Sequence, residues 1–278
     1  MLKIKFDLSD FEDVELIPLA DIHIGNPLCD IGALKDIIEY INEEPKNDKV
    51  ARICLLNGDL TESVTRKSVG EVFNQTMSPQ LQVATISEML KPLTEPREHY
   101  PEGKILSYCG GNHDVDRYKD TGITSAESIA VNLGLEDRYS AEGCYSFIRL
   151  KMINKNSRST MYTIYNQHMT GGGTTMGGKA NRLERISNGV IADLIIGSHI
   201  HTAQAFKEDI LLPAEQTQAL TQKTITYVST SALLRYGGYA QKMGMKPATI
   251  TFPKIYIRQK RDKVTGNKNR FFITEVLL

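Results

Sequence analysis

Residues 104–114 read Lys-Ile-Leu-Ser-Tyr-Cys-Gly-Gly-Asn-His-Asp. Apolar residues carry the run to Cys109, two glycines stop it, and Asn112 and His113 follow at once. That is the pattern of a buried strand entering a tight loop that presents polar side chains at its tip. The Gly110-Gly111 pair is expected to let the backbone turn sharply there. An amide beside an imidazole at a strand end suits a cation better than it suits packing.

The same pattern recurs along the chain. Val14–Ile24 reads as a first strand with a polar end at Asp21 and His23. Val50–Leu56 ends in Asn57-Gly58-Asp59, Thr160–Gln167 ends at His168, and Ala192–Ile196 runs into Gly197-Ser198-His199-Ile200-His201. Between these strands lie helical patterns. Ile31, Leu34, Ile37, Ile38 and Ile41 fall on one face of a helix over 31–44, with Asp30 as its N-cap. A mostly helical segment spans 68–93, with Pro79 as a break or a first-turn residue. Ser125–Leu133 is a short helix stopped by Gly134. Tyr145–Met152 pairs with Thr160–Gln167 through a polar link at 153–159. A glycine-rich loop, 171–178, precedes a helix over 179–189. The tail from Thr224 reads as strands with a polar hairpin at 264–269. Early strand–helix alternation predicts an α/β fold, and the later strands predict two mixed sheets packed face to face between helices. No repeat or linker interrupts the chain, so one domain over 1–278 is expected.

Composition narrows the function. Lysine plus arginine equals aspartate plus glutamate across 278 residues, which excludes a global polycation for nucleic acid but not a local basic patch. Four cysteines, Cys29, Cys54, Cys109 and Cys144, lack metal-type spacing, and Cys54 and Cys109, inside apolar runs, read as reduced core residues. Lys3, Lys5, Asp7 and Asp10 break the opening segment, and no apolar stretch is long enough for a bilayer. A cytoplasmic protein with no membrane contact is the expectation.

The polar strand ends offer aspartate, asparagine and histidine, and no thiolate. That set suits a borderline divalent ion such as manganese, iron or zinc rather than magnesium, calcium or a structural zinc. Strand alternation would put Asp21 and His23 on one side, and His199 and His201 on one rim. Asp21, His23, Asp59, Asn112, His168, His199 and His201 are too many for one ion that keeps an open position. They suit two ions that share a carboxylate and leave room for a bridging hydroxide that attacks phosphorus.

The ordered set Asp-x-His, Gly-Asp-x-x-Glu, Gly-Asn-His-Asp, His and His-x-His resembles the calcineurin-like metallophosphoesterase family. The resemblance spans Asp21 to His201. It implies a four-layer fold, a β-sandwich flanked by helices, with two metal ions. Asp21, His23, Asp59 and His201 would hold the first ion, and Asp59 would bridge. Asn112, His168 and His199 would complete the second. His113 would protonate the leaving oxygen, and Glu62 stands where related enzymes keep the carboxylate that orients this histidine. Manganese is the first expectation for both ions, with iron, zinc, cobalt or nickel as alternatives.

Two positions depart from the family pattern. Ser198 stands between Gly197 and the His-x-His pair, and Ser63 follows Glu62 where protein phosphatases of the family carry an arginine. Lys179, Arg182 and Arg185, after the glycine-rich loop, resemble an arrangement in uncharacterised phage and bacterial members. They are candidates for substrate phosphate, although Arg182 or Arg185 could equally pair with Glu184 or Asp193. Asp114 and Asp116 are read equally as loop supports or substrate contacts, and His99 as structural. The basic tail reads first as a solvated strand face. Tyr236 and Tyr239 could stack on a base or serve packing. The resulting expectation is a dinuclear phosphodiesterase, a nuclease or nucleotide phosphodiesterase. A phosphomonoesterase stands second, and a non-catalytic scaffold of the same fold third.

Overall fold

The computed structural model describes residues 1–64, 72–116, 122, 124–152, 159–173, 175–214, 219–242, 244, 246–247, 249–261 and 270–278. The polar link at 153–158, the tail hairpin at 264–269 and the first part of the helical segment, 68–71, lie outside them. In chain order the strands are β1 (Leu2–Leu8), β2 (Asp13–Leu19), β3 (Val50–Asn57), β4 (Ile105–Cys109), β5 (Tyr139–Ser140), β6 (Cys144–Lys151), β7 (Ser159–His168), β8 (Leu194–Ser198), β9 (Gln204–Ala214), β10 (Ala219–Ser229), β11 (Lys254–Arg261) and β12 (Arg270–Leu277). The helices are α1 (Ile31–Asn42), α2 (Pro79–Leu90), α3 (Asn112–Asp116), α4 (Ser125–Leu133), α5 (Met176–Glu184) and α6 (Gly238–Lys242).

Two mixed sheets of six strands form, in the orders β12-β11-β2-β3-β4-β5 and β1-β6-β7-β8-β10-β9. Strands β2, β3, β4 and β5 run parallel in the first, and β7, β8 and β10 run parallel in the second. The reason for the layering is visible in β3, which is apolar on both faces. Ala51, Ile53 and Leu55 pack with Phe6, Ile148, Ile164 and Ile196 from the other sheet. Cys54 and Leu56 pack with Leu34, Ile38, Ile86 and Ile129 from α1, α2 and α4. On the outer face of the second sheet, Tyr165, Ile195 and Tyr227 cover Leu183 of α5. Helices, sheet, sheet and helix thus make the four layers expected from the sequence, and each fully buried leucine or isoleucine contributes about 1.5–3 kcal/mol.

Several boundaries differ from the sequence reading. The first strand stops at Leu19, so Asp21 and His23 lie outside it. Leu2–Leu8, unassigned in the sequence, is an edge strand parallel to β6, with Ile4, Phe6 and Leu8 buried in alternation. Gln204–Ala214 was also unassigned, and it pairs antiparallel with β10 along its whole length. Helix α5 begins at Met176 and takes Gly177 and Gly178 into its first turn, because the Thr175 side chain caps it by accepting from Gly178 N. Pro79 occupies the first turn of α2 behind Ser78 as N-cap. Ser125–Leu133 is helical as expected, with a Thr124–Glu127 capping box and Gly134 left-handed at φ 65°. No helix among the described residues is long and apolar enough to cross a membrane.

Candidate metal centre

Five parallel strands, β2, β3 and β4 of one sheet and β7 and β8 of the other, deliver their carboxyl ends to one place. That edge is where layered α/β sheets bind ligands. Beyond the last ladder pair the chain still runs in register: Asp21 N donates to Gly58 O and His23 N to Asp59 O, both at 3.0 Å. Here the strand-alternation argument fails. Asp21, His23, Asp59, His199 and His201 have φ of 51°, 52°, 50°, 84° and 50°. In each Asp/His-x-His pair, left-handed residues flank an ordinary one, and this geometry, not the pleat, aims the side chains: Asp21 and His23 to one cluster, His199 and His201 to two adjacent ones. Left-handed backbone costs a non-glycine residue about 1–2 kcal/mol, and such strain gathers at functional sites. Among the described residues Ser63 is the one other non-glycine with positive φ.

Two sets of lone-pair atoms result. In the first, His23 Nε2 lies 3.4 Å from His201 Nε2, which lies 3.4 Å from Asp21 Oδ1. In the second, His168 Nε2 lies 3.1 Å from Asp59 Oδ2. Above them the Asn112 amide turns its oxygen toward His199 Nδ1, His168 Nε2 and Asp59 Oδ2 at 2.7, 3.0 and 3.1 Å. An amide can meet such a set nitrogen-first, as a donor, or oxygen-first, as a further ligand around a cation. Ligands on bonds of ~2.1 Å have edges of about 3.0–3.4 Å in octahedral or tetrahedral shells, so both sets have the dimensions of a coordination shell. The donors fit a borderline divalent ion. Asp21 ties the sets together by accepting from His199 N at 3.0 Å and from Thr230 Oγ1 at 3.3 Å.

The electrostatics match. Burial pushes the Asp59 carboxyl up, but His168, His113 and His23 overcome it and hold it well below the usual carboxylate range. Burial pulls His168 down, and the Asp59 carboxylate reverses this, pushing it up to about 10. Burial, followed by the nearby His168, pushes His199 down to about 4. The Asp59 carboxylate thus favours a protonated His168, and a divalent cation bound between them would displace that proton.

Two glycines allow this approach. A Cβ on Gly111 would stand 2.1 Å from Asp59 Oδ1 and 2.2 Å from Asp59 N. One on Gly58, at φ 85°, would stand 2.5 Å from His168 Nδ1. Neither Gly110 nor Gly111 has positive φ. The pair therefore serves closeness at Gly111 and not the sharp turn read from the sequence. Asn112 and His113 open the short helix α3 instead of standing on a loop tip.

His113 and Glu62 meet, but through different atoms from those expected. His113 Nδ1 lies 2.7 Å from the Glu62 backbone oxygen. The Glu62 carboxylate turns to His23 Nδ1 at 3.1 Å. A backbone carbonyl thus orients His113, and the carboxylate orients a member of the first set. Burial pulls the His113 imidazole down, but Asp59 and the Glu62 carbonyl outweigh this and raise it. Asp114 supports its own turn by accepting from Gly111 N at 2.9 Å and Thr61 Oγ1 at 3.3 Å.

The candidate substrate cations separate. Lys179 Nζ donates to Thr202 Oγ1, beside His201. Arg182 holds the glycine-rich loop, donating to Gly172 O at 2.6 Å and Thr170 O at 2.8 Å. Arg185 is exposed, and Asp193 pairs with Lys223 at 2.8 Å. In the tail, Arg258 pairs with Glu275 and Lys254 lies over the Tyr40 ring. Lys263 and Lys268 lie outside the described residues. Tyr236 is exposed next to Arg235, whose N donates to Leu28 O. His99 meets Asp10 on the surface, away from these clusters. Asn57, Thr230 and the hydroxyl of Ser198 were not read as site residues. Ser198 carried a signal as a departure from the motif, whereas Thr230 carried none.

The strain has a measurable consequence. His201→Gly is expected to make metal-free protein more stable by about 0.5–1 kcal/mol, the left-handed penalty less the added unfolded-state freedom. The same change should lower metal uptake. Urea midpoints with and without metal give both numbers, and a destabilised metal-free variant would contradict the strain argument.

No protein-family model matches the chain, and no curated protein matches it either. Among solved structures it is similar to a conserved uncharacterized protein of Streptococcus pneumoniae TIGR4 described as a predicted phosphoesterase. That alignment has 10% identity, covers 94% of this chain and 98% of that one, and has a TM-score of 0.35. It is also similar to a metallophosphoesterase from Sphaerobacter thermophilus, at 10% identity over 95% of this chain and 88% of that one, with a TM-score of 0.34. Likeness at this level carries no functional argument.

Proposed function

We propose that this chain is a calcineurin-like, divalent-metal-dependent phosphoesterase, one catalytic domain over 1–278, acting on phosphodiesters of the nucleic-acid or nucleotide class. The observation that carries the reading is the spacing of the two lone-pair sets, Asp21–His23–His201 and Asp59–Asn112–His168–His199, at the dimensions of coordination shells. Two manganese or similar ions held there would supply Lewis acidity, an activated water and charge neutralisation at phosphorus. The residues do the rest. Asp59 and His168 would hold one ion between them, in place of the proton that the Asp59 carboxylate favours on His168. Asp21 holds the His199 backbone, so that the two shells keep a fixed separation. His113 is raised by Asp59 and the Glu62 carbonyl, which favours its protonated form, and that carbonyl orients it so that its outward nitrogen would offer a proton to the leaving oxygen.

Ser63 favours a diester. It is buried and bonded to Thr61 and Ser125 at 2.8 Å each, so among the described residues no cation stands there to meet a dianion. Lys179 favours the second reading, a phosphomonoester. Burial is the one influence on its ammonium, with no carboxylate partner among the described residues, and its neighbour Thr202 follows His201. Hydrolysis of bis-p-nitrophenyl phosphate and p-nitrophenyl phosphate with added manganese ranks the two. A faster diester reaction is expected; a preference for the monoester reverses the order. Protein that takes up no transition metal and gains no activity with manganese removes the enzyme reading.

A further inference from the structure

The polar residues beneath the second ligand set form a chain with only one consistent direction. Asn57, Ser107, Asn166 and Ser198 are all fully buried, and they join the two sheets. Asn57 Nδ2 lies 3.1 Å from the backbone oxygen of Gln167, which can only accept, so the orientation of this amide is determined. Its other hydrogen goes to Ser198 Oγ at 3.0 Å, and its oxygen accepts from Asn166 Nδ2 at 3.0 Å. Asn166 Oδ1 accepts in turn from Ser107 Oγ at 2.9 Å. Ser198, already an acceptor, donates its own hydrogen to the Asn57 backbone oxygen at 2.5 Å.

The chain ends at His168. Nδ1 of that ring has two neighbours, the Asn57 backbone oxygen at 2.9 Å and Ser198 Oγ at 2.8 Å. Both present lone pairs, because the serine hydrogen is committed elsewhere. Nδ1 must therefore carry a proton, and Nε2 is the nitrogen free to ligate. Nε2 faces Asn112 Oδ1 at 3.0 Å and Asp59 Oδ2 at 3.1 Å.

We propose that Ser198 is a positioning residue: with the Asn57 carbonyl it holds His168 as an Nδ1–H ring and thereby sets the affinity of the Asp59–Asn112–His168–His199 site for its divalent ion. The inference rests on the metal reading above and deepens it. The serine that separates Gly197 from the His-x-His pair is, on this view, a working part of the site. Outer partners of this kind typically contribute about 10–100-fold to metal affinity.

The experiment is manganese titration of the full chain as parent, Ser198→Ala and Ser146→Ala, with bound metal measured after gel filtration. Ser146 is a control, a buried hydroxyl of the second sheet with no hydrogen-bond partner among the described residues. Ser198→Ala should bind one of two equivalents about 10–100-fold more weakly and keep the other, and Ser146→Ala should match the parent. Unchanged binding in Ser198→Ala, or equal weakening in both variants, overturns the proposal while leaving the metal reading intact. Nitrogen-resolved NMR of the parent provides a second readout that needs no metal uptake. His168 Nδ1 should be protonated with or without added zinc, and a bare Nδ1 overturns the proposal even if the parent binds nothing. A parent that takes up no metal at all counts against the proposed function itself.

Discussion

Gly111→Ala is expected to abolish metal uptake and cut phosphoesterase turnover by at least about a hundredfold, the scale set by ångström-sized misplacement at a reacting centre. The added methyl has nowhere to go. Its carbon would stand 2.1 Å from Asp59 Oδ1 and 2.2 Å from Asp59 N, and Asp59 is held through both its side chain and its backbone. Asp59 Oδ1 accepts from His113 N at 2.9 Å, and Asp59 O accepts from His23 N at 3.0 Å. Moving Asp59 therefore moves both ligand sets and the proposed acid together. Overpacking of this kind costs about 1–3 kcal/mol in stability, so the variant should fold with a lowered urea midpoint. Gly110→Ala is the comparison, because its Cβ would meet Tyr139 Oη at 3.3 Å and Ala141 Cα at 3.5 Å, contacts that small shifts relieve. Metal content of the two purified variants decides the matter. Full metal loading in Gly111→Ala would show that close approach to Asp59 is not what this glycine provides.

His113→Ala should leave metal content intact and lower kcat by about 10²–10⁴-fold, the usual contribution of a positioned acid. The loss should depend on the leaving group. A diester that releases p-nitrophenolate needs little proton donation, whereas one that releases an alkoxide needs it fully, so the second substrate should suffer far more. The basis is geometric: Nδ1 is occupied by the Glu62 carbonyl at 2.7 Å, which turns the other nitrogen away from that carbonyl. His168→Ala is the contrast, since it should lose metal because Nε2 belongs to the second set. Equal losses with both leaving groups, or metal loss in His113→Ala, would remove the acid role.

Much of this site was legible before any coordinates. Donor type is a property of side chains, and the polar ends of apolar runs name the donors one by one, from Asp21 to His201. Asn112 and His113 were already separable there into an expected ligand and an expected acid. Helix α4 was legible for a similar reason, since a capping residue and a terminal glycine act within a few residues of themselves. The edge strand β1 was not, because a strand whose partner lies far along the chain is defined by that partner.

What the chain alone determined is therefore the inventory: the layered α/β pattern, the candidate ligand types, their order and the absence of thiolate among them. Only the tertiary structure decided how the inventory is used. The left-handed turns at Asp21, His23, Asp59, His199 and His201 exist because two packed sheets over-determine the loops between them. The roles of Gly111, of the Glu62 carbonyl and of Ser198 depend on atoms contributed from other strands, at distances of a few ångströms that no local pattern encodes. The opening stretch shows both halves. Residues 104–114 announced a strand that ends in an expected ligand and an expected acid, and the neighbouring strands decided which glycine, which carbonyl and which hydroxyl hold them there.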